Sequence, residues 1–208
     1  MNTEEQTTES DYGKERSWGY QELAILYFPH VKPESASRQL ARWIGVSQEL
    51  LSQLAANTKY EFVKRFLPEA EAAEKRFHLN PVVMLAQAAI ESGWNESNLA
   101  KLHRNLFGIT GYGPSNEFWH GCRVELVPRG LPFRKYSDTQ SSFLDYARLI
   151  VTAYPAAAAV SYYPSAFAHE IAYSKYISEV NGDNRTAYCH LLDRLSVAIG
   201  KLIKAPVC

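Results

Sequence analysis

Cysteine is scarce: Cys122, Cys189 and Cys208 are the only three in 208 residues. They are too few and too scattered for a disulfide framework, and the odd count leaves one thiol over, so reduced surroundings are the simpler expectation. An excess of charge is also missing, since 22 Lys+Arg offset 22 Asp+Glu and no Lys/Arg block occurs. That removes the long-range field of a dedicated nucleic-acid or anionic-membrane binder and favours a neutral or weakly charged ligand. No apolar run approaches the roughly 20 residues of a membrane span, and none is expected. The usual metal and nucleophile motifs are absent as well. Cys189-His190, Cys122 with His120, and His103 lack ligand spacing, His169-Glu170 lacks a second histidine, and there is no GxSxG or phosphate loop. Neither a metal nor a cofactor is expected. Residues 1–16 (MNTEEQTTESDYGKER) have no positively charged start followed by an apolar core, so they read as a disordered leader rather than a secretory signal.

What is present is helical periodicity. In residues 17–57 the apolar positions predict three short helices at 23–28, 40–44 and 50–54. Pro29 and Pro33 separate the first two, Ser35 caps the second, and Ser47 caps the third after Gly45. The words YQELAILYFP and SASRQLARWI in this module resemble a small domain of unknown function from gut anaerobes, which implies no chemistry. Arg38 and Arg42 share a helix face, but no basic arm supports them, so packing is the preferred reading and no nucleic-acid partner is expected. From residue 58 onward a larger domain is expected. An amphipathic helix at 60–78 precedes one announced by Asn80-Pro81 and ended by Gly93, apolar on almost every side and so suited to the middle of a core. Residues 122–127 and 131–136 predict a β-hairpin around Pro128-Arg129-Gly130. Helical spacing returns at 141–159, 165–176 and, after the turn Asn181-Gly182-Asp183-Asn184, at 186–203. The class is mainly α, an α+β chain with one small β excursion.

Glu91 stands at the carboxyl end of that most apolar helix, one turn after Gln87 and just before Ser92-Gly93-Trp94. Desolvation by the core and by Trp94, together with the negative end of the helix dipole, would raise its pKa and keep it protonated at neutral pH. A protonated carboxyl is a general acid suited to glycosidic oxygen. The alternative, a Glu facing water at a frayed helix end, is equally compatible with spacing alone.

Five words in order, MLAQAAIESGW, NLFGI, Trp119-His120-Gly121, FRKY and SFLDYARLI, resemble glycoside hydrolase family 73, the bacterial cell-wall β-N-acetylglucosaminidases of flagellar and autolytic type. The resemblance runs over residues 60–203 and implies a lysozyme-like fold: a helical lobe, a β-hairpin lobe and a groove for the glycan strand of peptidoglycan between them. Glu91 matches the family's catalytic acid. The resemblance places Asn105, Phe107 and Gly108 on the groove floor and Trp94 beside the sugar, although Phe107 reads equally well as core. FAHEIAYSKYI at residues 167–177 resembles the segment whose tyrosine reaches the cleft, with Tyr176 the choice and Tyr173 the alternative. Tyr136 and Tyr146 match aromatic positions and read as packing. The second catalytic carboxylate is expected at Glu125 on the hairpin, where alternation sets it with Arg123 and Val127 opposite Val124 and Leu126. Solvation, or pairing with Arg123, is its bland reading, and the substrate's own N-acetyl group is the other route. The implied activity is cleavage of the β-1,4 bond between N-acetylglucosamine and N-acetylmuramic acid. A muramidase or lytic transglycosylase of the same fold, and a non-catalytic glycan or partner module, are the alternatives. Without an export signal, synthesis in the cytoplasm and delivery by phage lysis or a secretion apparatus are expected, the latter with an immunity or delivery protein as partner.

Overall fold

The computed structural model describes residues 30–178 and 184–204, apart from the side chains of residues 43, 44, 46 and 47. The leader, the expected helix at 23–28, most of the Asn181–Asn184 turn and Cys208 lie outside the described residues. The chain divides into two compact units, Met1–Ala55 and Ala56–Cys208. Described elements run in the order α1 (Pro33–Phe77), α2 (Pro81–Ser92), α3 (Asn98–His103), β1 (Arg123–Glu125), β2 (Pro132–Arg134), α4 (Thr139–Ala153), α5 (Pro155–Ala159), α6 (Pro164–Ala172) and α7 (Arg185–Lys204). The mainly α class with a two-stranded antiparallel hairpin is therefore observed. No helix among the described residues is long and apolar enough to cross a membrane.

The largest departure from the sequence reading is α1. The separate helices expected at 40–44, 50–54 and 60–78 are one helix of 45 residues, with Gly45 and Ser47 inside it. A glycine in a helix interior costs only about 1 kcal/mol relative to alanine, less than the cost of starting a new helix. Pro33 opens the helix, because at the first position its missing N–H has no intrahelical partner to lose. Pro68, in the interior, removes one rung of the ladder. Two other boundaries also move. Pro155 splits the helix expected at 141–159 into α4 and α5, and the last expected helix turn at 173–176 is irregular.

In the larger unit, Phe62, Val63, Phe66, Ala70 and Ala73 of α1 are buried in the core cluster with α2, whose residues 83–89 are all buried. At about 1.5–3 kcal/mol for each fully buried large apolar side chain, Met84, Leu85, Phe66, Phe143 and Phe167 account for much of the driving force. The ends of α2 are fixed as the sequence predicts: Asn80 Oδ1 accepts from the Val82 N–H at 2.8 Å, and Gly93 takes the left-handed conformation (φ 58°). α7 packs on α2 and α6 and buries Leu192, Ser196 and Ile199.

The hairpin is shorter than expected, with Val124 opposite Phe133 and Glu125 opposite Pro132. Val124 is half-buried, but Leu126 is 47% exposed, so the expected inward face ends after one residue. What ties this lobe down is a buried carboxylate. Asp145 of α4 is fully buried; its Oδ2 accepts from Arg134 Nη1 (2.5 Å) and Tyr136 OH (2.8 Å), and its Oδ1 from Asn116 Nδ2 (2.9 Å) and Arg148 Nε (3.0 Å). Arg134 also donates to the Thr110 and Tyr112 carbonyls and lies 4.2 Å over the Trp119 ring. Burial, then the Asp145 charge, push the Tyr136 phenol far above its ordinary value, so it remains a donor. Asp145→Ala would leave the buried Arg134 cation without its counter-charge. The expected outcome is a loss of about 3–5 kcal/mol, measured by denaturant unfolding.

Candidate active site

The site begins with the way α2 stops. Glu91 is in its last turn, and beyond Ser92 three successive residues, Gly93, Trp94 and Asn95, have φ of 58°, 59° and 68°. For Trp94 the left-handed region costs about 1–2 kcal/mol, and for Asn95, whose short amide tolerates it, less. The turn is held by the Trp94 N–H to the Ala89 carbonyl (2.9 Å) and by Ser92 Oγ, which accepts from the Asn95 N–H (2.8 Å) and donates to the Ala88 carbonyl (2.5 Å). The reversal carries the chain away from the helix axis and leaves Glu91 half-buried at a cleft of about 650 Å³. That volume lies within the range of small-ligand sites, roughly 300–1,000 Å³.

One wall of the cleft is the segment 107–110. Asn105 is buried and sets its shape: its Oδ1 accepts from the Ile109 N–H (3.1 Å), and its Nδ2 donates to the Ile109 and Arg134 carbonyls (2.9 and 3.0 Å). The Arg134 N–H returns a bond to the Ile109 carbonyl (2.9 Å), lacing this wall to β2. Phe107 lies stacked on Tyr146 with ring centroids 3.9 Å apart and also lines the cleft. It is therefore both core and wall. Gly108 has φ 62°, and a Cβ there would sit 3.9 Å from Glu91 Oε2. Tyr154, Tyr176 and the first turns of α7, where Tyr188 lies, also line the cleft.

Tyr188 is the residue that the sequence reading missed. Its OH donates to Glu91 Oε1 at 3.1 Å and accepts from Gln87 Nε2 at 2.9 Å. Burial first, and then the charge of Glu91, push the Tyr188 and Tyr176 phenols well above their ordinary range. Both therefore remain neutral donors beside the carboxyl. Nothing near Tyr188 in the sequence signals this role: 97 residues separate it from Glu91, and only the packing of α7 on α2 joins them.

The structure brings Glu91, Phe107, Gly108 and Tyr176 to one cleft, and places Asn105 behind its wall as a support. Trp94 points elsewhere, edge-on to Phe62 (5.3 Å) with Lys59 Nζ 5.6 Å from its ring, and does not line the cleft. Its left-handed backbone directs the ring to the core side of α1. Tyr173 is 49% exposed, bonds to Thr186 Oγ1 and is outside this cleft. Glu125 is exposed on β1 and is not among the lining residues.

A half-buried carboxyl among phenols, in a cleft lined by residues 107–110 and the first turns of α7, is a site of the kind general acid catalysis uses, and comparisons with known proteins give the family. The family model described as mannosyl-glycoprotein endo-beta-N-acetylglucosaminidase matches residues 67–196, and the chain belongs to this glucosaminidase family. Residues 14–73 match a domain of unknown function, DUF4248. The chain is similar to the peptidoglycan hydrolase FlgJ of Vibrio parahaemolyticus, 31% identical over 144 residues that make up 61% of this chain and 45% of that one. Thus it spans less than half the length of that curated relative. Among solved structures it resembles the peptidoglycan hydrolase of Sphingomonas sp. A1, 26% identical with a TM-score of 0.53 over 72% of this chain and 97% of that one. A chain of a type VI secretion system effector–immunity complex from Pseudomonas protegens shares the fold at 17% identity and a TM-score of 0.54, over 71% and 95% of the two chains.

The Gly108 conformation is testable. Because the nearest atom to an added Cβ is at ordinary contact distance, Gly108→Ala should lose stability through its backbone alone, by about 1–2 kcal/mol, read as a lower denaturant midpoint.

Proposed function

We propose that this chain hydrolyses the β-1,4 bond between N-acetylglucosamine and N-acetylmuramic acid in peptidoglycan, with Glu91 as general acid. The observation that carries the reading is the position of Glu91: the one carboxylate lining the cleft among the described residues, at the end of a buried helix and within hydrogen-bond reach of a neutral phenol. In the reaction, Glu91 gives its proton to the glycosidic oxygen as the bond to C1 breaks, and the leaving sugar departs with a hydroxyl. A water then adds to C1 and its proton returns to Glu91, so that the acid is regenerated. Phe107 and Gly108 form the wall against which the sugar lies, and Tyr176 offers a hydrogen bond to its N-acetyl group. Two routes supply the group opposite the acid: Glu125 brought over from the hairpin, or the N-acetyl oxygen of the substrate itself. The exposed setting of Glu125 supports the second.

For the whole protein, we read residues 58–208 as the hydrolase domain and residues 17–57 as a helical delivery or docking module, preceded by a leader at 1–16. Delivery to the wall through phage lysis or a secretion apparatus fits this arrangement, and in the second case an immunity protein that covers the cleft is the expected partner.

Purified protein should release reducing ends from sacculi, and Glu91→Gln should lower turnover by about 10²–10⁴-fold with unchanged circular dichroism; a fully active variant refutes the assignment. Mass spectrometry of the products distinguishes reducing N-acetylglucosamine, as proposed, from reducing N-acetylmuramic acid or anhydro ends. Glu125→Gln separates the two routes: a loss above about tenfold assigns the hairpin acid, whereas retained turnover assigns the N-acetyl group.

A further inference from the structure

Beside the cleft lies a second cavity of about 490 Å³. The two share a border: Tyr154 lines both, and its ring meets that of Tyr176 edge-on at 5.6 Å. A short turn after α6 sets the other side of that border. Ser174 Oγ donates to the Ile171 carbonyl (2.7 Å) and accepts from the Tyr176 N–H (3.0 Å). At this turn successive residues part, Lys175 to the second cavity, Tyr176 and Ile177 to the cleft. A substituent on a sugar held in the cleft therefore reaches the second cavity across Tyr154.

The lining of the second cavity has its own chemistry. α5 contributes Pro155, Ala156 and Ala157, which are small and apolar, while the end of α6 and the turn contribute His169, Glu170 and Lys175. Glu170 and Lys175 are exposed and bring one charge of each sign. His169 lies beside Glu170 (Nδ1 to Oε1 3.9 Å) and its ring is 4.8 Å from that of Tyr173. An N-acetylated sugar calls for hydrogen bonds and a flat apolar face, not for charges of both signs. In peptidoglycan the lactyl carboxyl of N-acetylmuramic acid is held in an amide bond, so the glycan strand itself is uncharged. Charge of both signs belongs to the short peptide on that lactyl group, in which alanine methyl groups lie between residues bearing free carboxylates and an amino group.

Resting on peptidoglycan as the substrate of the cleft, we propose that the second cavity binds this stem peptide, its methyl groups against α5, a carboxylate toward Lys175 and the amino group toward Glu170. An extended tetrapeptide spans about 13 Å, enough to cross a single side chain. The site makes the protein a reader of peptide-bearing strands rather than of bare glycan.

The test compares soluble, uncross-linked glycan strands carrying the tetrapeptide with the same strands stripped by an amidase. Wild-type protein should cleave the peptide-bearing strands with kcat/KM about tenfold higher, chiefly through KM, the effect of two exposed charge pairs acting together. The double variant Glu170→Gln with Lys175→Gln should bring that ratio close to one, and Ala156→Trp, which fills the apolar side of the cavity, should do the same. Equal cleavage of the two strands by wild-type protein overturns the peptide site and leaves the hydrolase reading standing, as does either variant that keeps the wild-type ratio. If Ala156→Trp does not fold, the charge variant decides alone. If neither strand is cleaved, the hydrolase reading falls, and ¹⁵N NMR titration with the free tetrapeptide decides the cavity: signal shifts centred on residues 153–157 and 169–175 sustain the site, and their absence overturns it.

Discussion

One wall of the cleft is carried by a lobe that a single buried carboxylate, Asp145, holds in place through the donors around it. Asp145 accepts hydrogen bonds from four side chains, two of them arginines, and the Arg134 end of this network reaches the backbone of residues 110 and 112 and the face of Trp119. A two-stranded hairpin is marginal in water by itself. This one is attached to α4 by charge and hydrogen bonds where its apolar contacts are few, since Leu126, Val127 and Leu131 are all exposed. The segment 107–110 that lines the cleft is in turn laced to β2 through Asn105. Asp145 thus acts on the site at a distance, by holding the lobe that carries Phe107 and Gly108.

The other side of the cleft depends on hydrophobic burial. α2 is enclosed by α1, α6 and α7, and this enclosure leaves its polar residues few places to go. Gln87 and Glu91, four residues apart, turn to the same side and meet Tyr188. The left-handed run after Ser92 ends the helix sharply enough that Glu91 remains at the cleft rather than inside the core. Local strain next to a reactive side chain is a common feature of functional sites, and here it is sustained by three hydrogen bonds within the turn.

Several parts of this arrangement were legible in the sequence. Asn80-Pro81 and Gly93 mark the ends of α2 because capping is local chemistry. The continuous apolar run identifies the central helix, and Glu91 stands out as a carboxyl at its end. Trp94 was misread, since a neighbour in sequence is a neighbour in space only while the backbone stays regular, and the reversal at 93–95 turns the ring toward Phe62. The helix breaks read at Gly45 and Ser47 do not occur, because their local preferences are too weak to stop a helix of 45 residues. Asp145 carried no signal of its own: an acidic residue in an amphipathic helix looks like a surface residue until its two arginines converge on it.

The sequence by itself determined the mainly α class, the central buried helix with its caps, and the carboxyl at its end, because hydrophobic periodicity and capping act over a few residues. Tertiary structure alone decided which side chains face that carboxyl. Tyr188 comes from 97 residues away and the Phe107–Gly108 wall is fixed by bonds to β2. Such contacts follow from the packing of α7 on α2 and from the anchoring of the hairpin, and no local pattern encodes them.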